Sequence, residues 1–360
     1  MEKKNKIIGF DLLRIWLSFE VVFDHYWRVC GDDPVTNFLL WMCGMAVPCF
    51  MMMSFYLTGS RFEDGDAPWL KNRLVRLLTP YLFWPAVFYL VMLLGSRYST
   101  VYVETLNKLS AFWAYKTPIE APVTDLLWQW FLGSSRRNSM QFWFHADLLI
   151  LTVSFFALFR FVAARWRTHL VVALIAFALV FQYSGLNLRC FESLPFESRY
   201  TLGRVAPMLV LASVGFLFGR LRGRLANLAL ADRWFFSLAG LALFFFVYLA
   251  KPFVTKVPGF SYQGLANVFA AMGLVAFFHF LPLERLPELV QKVLGLCARY
   301  CMGIYCVHFG LAWLLYSFVF PHLGIGRETL VSNLVIWAFS WILCHLIAQI
   351  PGKFTKSLVQ

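Results

Sequence analysis

The chain has 360 residues, of which 60% are hydrophobic and only 14% are charged, and its formal net charge is +13. A soluble domain carries roughly 25% charged residues, so this composition excludes a water-soluble globular protein and indicates lipid as the main solvent. The positive charge does not call for a nucleic-acid partner, because membrane proteins concentrate basic residues on their cytoplasmic side. The eight cysteines form no Cys-x-x-Cys pair, and no metal site is expected.

Apolar windows of about 20 residues are long enough to cross a bilayer as helices. They predict an all-α, polytopic membrane bundle of about ten transmembrane helices, at residues 7–29, 36–58, 75–95, 141–160, 169–184, 202–219, 235–250, 262–281, 297–319 and 331–350. Residues 1–360 are expected to form a single membrane domain. Within it, the mainly polar segment 96–140 is expected to form short helices on the outer surface.

The connections between these windows predict the orientation of the bundle. With the N-terminus in the cytoplasm, the inner segments hold nineteen Lys and Arg residues and the outer segments hold ten. Five of those ten lie in the long segment 96–140, where the rule is weaker. The excess of positive charge on the inner side predicts that both termini are cytoplasmic.

The first predicted span carries more ionisable residues than lipid tolerates without pairing or hydration: Asp11, Arg14, Glu20, Asp24 and His25. Arg14 and His25 are about three helical turns apart and share one face of the helix. Asp11 lies one turn before Arg14 and can neutralise it, whereas Glu20 points to another side. These residues are therefore functional candidates, and internal ion pairing with snorkelling ends is the alternative.

Two further segments combine polar residues at helical spacing. Tyr305 and His308 lie one turn apart in the ninth predicted span, where a hydrogen-bonded core histidine is the simpler explanation. Arg73 and Arg76 lie one turn apart at the predicted cytoplasmic end of the third span. They could anchor the helix in the interface, but an arginine pair also suits a phosphate-bearing ligand.

Five segments, taken together and in order, resemble the integral-membrane acyltransferase-3 family. The first is the Arg-x10-His pattern from Arg14 to His25. VPCFMMMSFYLTG is similar to the family's segment ending in Ser-Gly-Phe-Leu, KNRLVRLLTPYLFW to its Arg-Ile-x-Pro-Tyr segment, QFWFHADLL to its Trp-Phe-Leu motif, and CARYCMGIYCVH to its Ser-x-Tyr-x-Tyr-x-x-His segment. The resemblance covers residues 8–345. Phe55 and His145 depart from it, standing where the family has Gly and Leu.

This resemblance implies a membrane-only O-acyltransferase of the inner (cytoplasmic) membrane. Such an enzyme transfers an acyl group, usually acetyl, from a cytoplasmic acyl-CoA to a carbohydrate hydroxyl. The acceptor would be a cell-envelope glycan such as an exopolysaccharide, or its lipid-linked precursor. The expected partners are therefore acyl-CoA as donor substrate, a carbohydrate and membrane lipids, with no permanently bound cofactor and no nucleic acid. Monomer and homodimer both remain open, as does succinyl instead of acetyl.

Acyl transfer to a hydroxyl needs a general base, and His25 is our candidate because imidazole titrates near neutral pH. Arg14 is our second candidate catalytic residue. It lies roughly 16 Å from His25 along the helix, so we expect it to hold the donor rather than to act beside the imidazole. Arg73, Arg76 and Ser54 are expected to bind the donor. Supporting roles are expected for six further residues: Asp11, Glu20, Tyr305, His308, Trp143 and His145.

Three alternatives remain open at this point. A covalent acyl-enzyme through Ser54 or a cysteine would replace direct transfer. A secondary transporter or channel would use the ionisable residues of the first and ninth spans as a proton or substrate path. A lipid-binding scaffold would show neither acyl transfer nor flux.

Overall fold

The computed structural model describes residues 7–26, 42–98, 127, 130–131, 142–184, 196–225, 227–254, 265–326 and 329–359. All regular elements in these ranges are helical, and no strand occurs there. The helices are α1 Ile8–Tyr26, α2 Ala46–Asp64, α3 Ala67–Tyr98, α4 Trp143–Phe161, α5 Arg167–Tyr183, α6 Phe196–Arg220, α7 Leu230–Val254, α8 Leu265–Phe280, α9 Glu288–Ala298, α10 Cys301–Leu314, α11 Leu330–Gln349 and α12 Lys353–Ser357. Four short turns stand beside them: Cys43–Met45, Ala164–Trp166, Arg222–Leu225 and Leu283–Arg285.

Eight helices in these ranges are long and apolar enough to cross a membrane: α3 to α8, α10 with its extension to Leu323, and α11. The extension of α10 includes a π-helical turn, Leu315–Val319, followed by Phe320–Leu323. The 19-residue helices α1 and α2 are not among these eight: α1 carries Asp11, Arg14, Glu20 and Asp24, and the last turn of α2 carries Arg61, Glu63 and Asp64. The protein is therefore a polytopic helical membrane protein, as predicted. The count of ten spans and the cytoplasmic termini stay predictions.

The helix boundaries differ from the predicted windows in two places that matter for the site. The third window starts at residue 75, whereas α3 starts at Ala67 and so includes Arg73 and Arg76 in its opening turns. The ninth window starts at 297, whereas α9 ends at Ala298 and α10 begins separately at Cys301. A hydropathy window does not detect polar opening turns, as in α3, or a break between two apolar helices, as between α9 and α10. Most of the predicted outer segment 96–140 lies outside the described residues.

Glycines allow the helices around α2 to approach closely. A Cβ on Gly215 of α6 would lie 2.2 Å from the carbonyl oxygen of Met52, and one on Gly219 would lie 2.6 Å from that of Tyr56. Small residues at such positions let two membrane helices pack backbone to backbone. This packing fixes the middle of α2, the segment that carries Ser54.

The start of α2 is also held by a carboxylate of α1. The backbone N–H groups of Met45 and Ala46 donate to Oε1 of Glu20 at 2.8 and 2.9 Å. An acidic side chain at a helix N-terminus satisfies otherwise unpaired N–H groups and complements the positive end of the helix dipole. Glu20 thus joins α1 to α2 and sets the position of Arg14 relative to the rest of the bundle.

Candidate functional site: an arginine-lined cavity

A cavity of about 520 Å³ lies among α1, α2, α3, α4 and the junction between α9 and α10. Its volume is in the usual range for small-molecule sites. Five of the residues that the sequence singles out line it together: Arg14, Ser54, Arg73, Arg76 and Tyr305. These residues come from four separate helices, so the fold assembles them from distant parts of the chain.

The lining of the cavity is strongly positive. Four arginines contribute to it, Arg14, Arg73, Arg76 and Arg299, and none of the lining residues that the structure describes is a carboxylate. Asp11 contacts Arg14 from beside the cavity, with Oδ1 3.5 Å from Nη1. The sequence indicated Arg299 only as one of many basic residues on the inner side. Such a lining suits an anionic ligand that carries more than one charge.

Arg73 is fixed in place by neutral side chains of two other helices. Its Nε donates to Oγ1 of Thr152 at 3.1 Å, and its Nη2 donates to Oγ of Ser54 at 2.7 Å. Its guanidinium carbon lies 5.6 Å from the centre of the Trp69 ring. Because the guanidinium is oriented before any ligand arrives, little conformational entropy is lost on binding. Thr152 is not among the residues that the sequence analysis singles out.

Another part of the cavity lining is aromatic and apolar. Phe50, Met53, Phe144, Leu148 and Tyr305 form it. The ring of Phe144 lies 6.5 Å from that of Phe50 and 5.7 Å from that of Tyr305, measured between centroids. The cavity therefore combines a cationic part with an apolar part, as a ligand with a charged group and an uncharged chain requires.

Of the predicted pair Arg14 and His25, the structure describes the side chain of Arg14. Arg14 lines the cavity and is half-buried. His25 belongs to the last turn of α1, but its side chain lies outside what the structure describes. The predicted passage shared by the Arg14 guanidinium and the His25 imidazole therefore stays a prediction.

Three other predicted residues pack around the cavity. His145 is fully buried, with its ring centroid 5.4 Å from that of Tyr305 and its Nε2 3.7 Å from Sγ of Cys306. His308 is also buried, and its Nδ1–H donates to the carbonyl oxygen of Ile304 at 2.9 Å. Trp143 lies against a buried arginine of α6. In the described ranges, no group of three or more His, Cys, Asp or Glu residues could hold a metal ion.

That arginine is Arg204, which the sequence analysis did not single out. Its Nε and Nη2 donate to the two carboxylate oxygens of Asp147 at 3.1 and 3.2 Å, and its guanidinium carbon lies 4.9 Å from the Trp143 ring centre. A charge inside a bilayer needs a partner of opposite charge. Arg204 and Asp147 both fall inside predicted spans, and this rule would have suggested pairing them.

The comparison with known families decides what kind of protein holds this cavity. The acyltransferase-3 family, described as an acyltransferase domain, matches residues 7–350. This chain belongs to the acyltransferase-3 family. The match includes every lining residue that the structure describes, so this membrane acyltransferase carries its arginine cluster inside the family domain. Comparisons with curated proteins and with solved structures found no match.

Proposed function

We propose that this acyltransferase moves an acyl group, most often acetyl, from cytoplasmic acyl-CoA to a hydroxyl of a cell-envelope or lipid-linked carbohydrate. The observation that carries the proposal is the set of four arginines lining one cavity in a protein of this family. Coenzyme A carries a pyrophosphate and a 3′-phosphate, and arginine binds such groups through paired N–H donors. The basic residues of the connections support access to this cavity from the cytoplasm.

Arg73 and Arg76 are the proposed phosphate-binding residues. Arg73 is oriented by Ser54 and Thr152, whereas Arg76, one turn further along α3, lines the cavity and is exposed. The pantetheine arm would then pass Ser54 and Met53 toward Tyr305. Arg14, beside Asp11, would face the donor from α1.

Direct transfer of the acyl group from the thioester to the acceptor hydroxyl needs a single general base. A base accepts the proton of the acceptor hydroxyl while the oxygen attacks the thioester carbonyl carbon. The carbon–sulfur bond then breaks, and the CoA thiolate leaves and takes up the proton. His25 is our candidate for the base, because a neutral imidazole can accept and return a proton near pH 7.

Radiolabelled acetyl-CoA tests this function in purified protein reconstituted in lipid nanodiscs with a carbohydrate acceptor. Wild type should produce labelled carbohydrate, and His25→Ala should bind acetyl-CoA but form no product. Near-normal transfer by His25→Ala would defeat the assignment of the base. Flux of a solute across proteoliposomes without any acylated product would instead support the transporter alternative.

Donor recognition is tested by competition between CoA and dephospho-CoA, which lacks the 3′-phosphate. We expect CoA to compete more strongly in wild type, and the difference to shrink in Arg73→Ala or Arg76→Ala. Arg165→Ala is a matched control, because Arg165 is exposed, stacks on Trp166 and lies outside the cavity. Equal competition by both compounds in wild type would argue against phosphate recognition by these arginines.

A further inference from the structure

The two parts of the cavity lie at different depths in the bundle. The hydrogen bonds of Arg73 to Ser54 and Thr152 mark its cationic part. From Thr152 to Phe144 the axis of α4 advances about 12 Å, and from Ser54 to Phe50 the axis of α2 advances about 6 Å in the same direction. A donor whose phosphates bind the arginines therefore points its acyl group toward Phe50 and Phe144.

Three aromatic rings form the wall at this deeper end. The rings of Phe50 and Phe144 are tilted by 49° to each other, and those of Phe144 and Tyr305 by 64°. Phe144 is 2% exposed and Tyr305 5%, so apart from the side that lines the cavity both rings are enclosed by packed side chains. These three rings limit how far an acyl chain extends.

A second packed layer supports this wall in the described part of the chain. The ring of His145 lies 5.4 Å from that of Tyr305 and 5.8 Å from that of Phe142, which in turn lies 6.1 Å from Phe88. Phe88 fills the space next to Gly310, where a Cβ would come within 2.3 Å of its ring. Protein interiors packed in this way do not yield easily to extra volume.

In the described lining, the guanidinium nearest this end by helix rise is that of Arg14, and its charge is already balanced by Asp11 at 3.5 Å. Arg73 and Arg76 lie on the first turns of α3 and Arg299 at the junction of α9 and α10, while Arg14 is paired with Asp11. A carboxylate placed among phenylalanine rings would lose its hydration without gaining a partner. A dicarboxylic acyl group such as succinyl is therefore disfavoured.

We infer that Phe50, Phe144 and Tyr305 select the donor, admitting a short uncharged acyl group and excluding long and carboxylated ones. This inference rests on the proposed function, since it needs acyl-CoA in the cavity. Phe144 is the central residue, because its ring contacts the other two.

The test compares kcat/KM for acetyl-, hexanoyl- and succinyl-CoA with one acceptor. Wild type should prefer acetyl-CoA over each of the other two by on the order of 100-fold. Phe144→Ala should raise the ratio of hexanoyl to acetyl turnover by about 10-fold or more, since it opens space at the end of the chain. Phe144→Leu is the milder variant that keeps the result readable should the alanine variant fold poorly, and it should shift the ratio in the same direction.

Phe177→Ala is the matched control, because Phe177 is 64% exposed on α5 and lies outside the cavity. Its hexanoyl-to-acetyl ratio should equal that of wild type. Equal use of succinyl- or hexanoyl-CoA by wild type, or unchanged ratios in both Phe144 variants, would overturn the inference while leaving the transferase intact. If folded wild type binds no CoA and uses no acyl-CoA, the inference and the proposed function both fail.

Discussion

Arg73 and Arg204 are arginines of the same membrane bundle, but their surroundings differ. Arg204 is 1% exposed and donates to both oxygens of Asp147, so its charge is compensated inside the protein. Arg73 donates to two neutral hydroxyls, those of Ser54 and Thr152, and lies in a cavity without a described carboxylate in its lining. Hydroxyls orient a guanidinium without cancelling its charge. The difference separates an arginine that holds two helices together from one that is set to receive an anion.

The largest effect should follow from breaking the buried ion pair. Arg204→Met leaves the carboxylate of Asp147 without its partner, and loss of one member of a buried pair costs about 3–5 kcal/mol. We expect a large drop in the free energy of unfolding, measured by thermal or denaturant unfolding in detergent. The double variant Arg204→Met with Asp147→Leu should recover most of that loss, because it removes both charges. A single variant as stable as wild type would contradict the structural role of this pair.

Removing Arg73 should lower the activity of the enzyme and leave its stability nearly unchanged. Arg73→Ala should lower kcat/KM for acetyl-CoA by on the order of 100-fold, about 2.7 kcal/mol, because a charge-assisted contact to phosphate is lost. Its stability should change little, since no buried carboxylate is left unpaired. Arg73→Lys should recover only part of the activity, because an ammonium cannot reproduce the paired N–H donors. A fully active Arg73→Ala variant would contradict the proposal that Arg73 binds the phosphates of the donor.

A smaller effect is expected from the hydroxyls that orient Arg73. Ser54→Ala and Thr152→Val each remove one hydrogen bond from the charged guanidinium to a hydroxyl, while the other hydrogen bond still orients Arg73. We expect KM for acetyl-CoA to rise about 2- to 10-fold, with kcat less affected, because the guanidinium becomes less ordered. If Ser54 instead forms a covalent acyl-enzyme, Ser54→Ala will lose kcat almost completely. Steady-state kinetics with single-turnover acylation distinguishes the two outcomes.

The smallest effect should come from the exposed arginines Arg76 and Arg299. Their charges are screened by solvent and salt, so Arg76→Gln and Arg299→Gln should each raise KM for acetyl-CoA only a few-fold, about 2- to 5-fold, at low ionic strength. The difference from wild type should fade as salt is added. An effect that persists at high salt would mean that these side chains become buried on the ligand.

The sequence was sufficient for the helical bundle, because long apolar windows need no knowledge of tertiary contacts. It also indicated Arg14, Arg73 and Arg76, since charge is rare in such windows and spacing of one turn sets a common face. Contacts between side chains of different helices could not be predicted from the sequence. Nothing in the sequence shows that Thr152 bonds Arg73, or that the Glu20 carboxylate accepts the backbone N–H groups at the start of α2.

The roles of the buried residues illustrate the same limit. His145 and His308 stand out in the sequence as polar residues within spans, but both are surrounded by packed side chains. The ring of Tyr305 contacts both histidines, and of these three described residues Tyr305 is the one that lines the cavity. Arg299 was counted among basic residues of the inner surface, yet it lines the cavity. Whether a polar residue faces a cavity or a neighbouring helix depends on packing, which helical periodicity alone does not encode.

A density map of the purified enzyme with bound CoA tests the central claim most directly. We expect the phosphates within about 4 Å of the guanidinium groups of Arg73 and Arg76, and the thiol between Met53 and Tyr305. CoA bound outside this cavity, in a preparation that still transfers acetyl groups, would contradict the account.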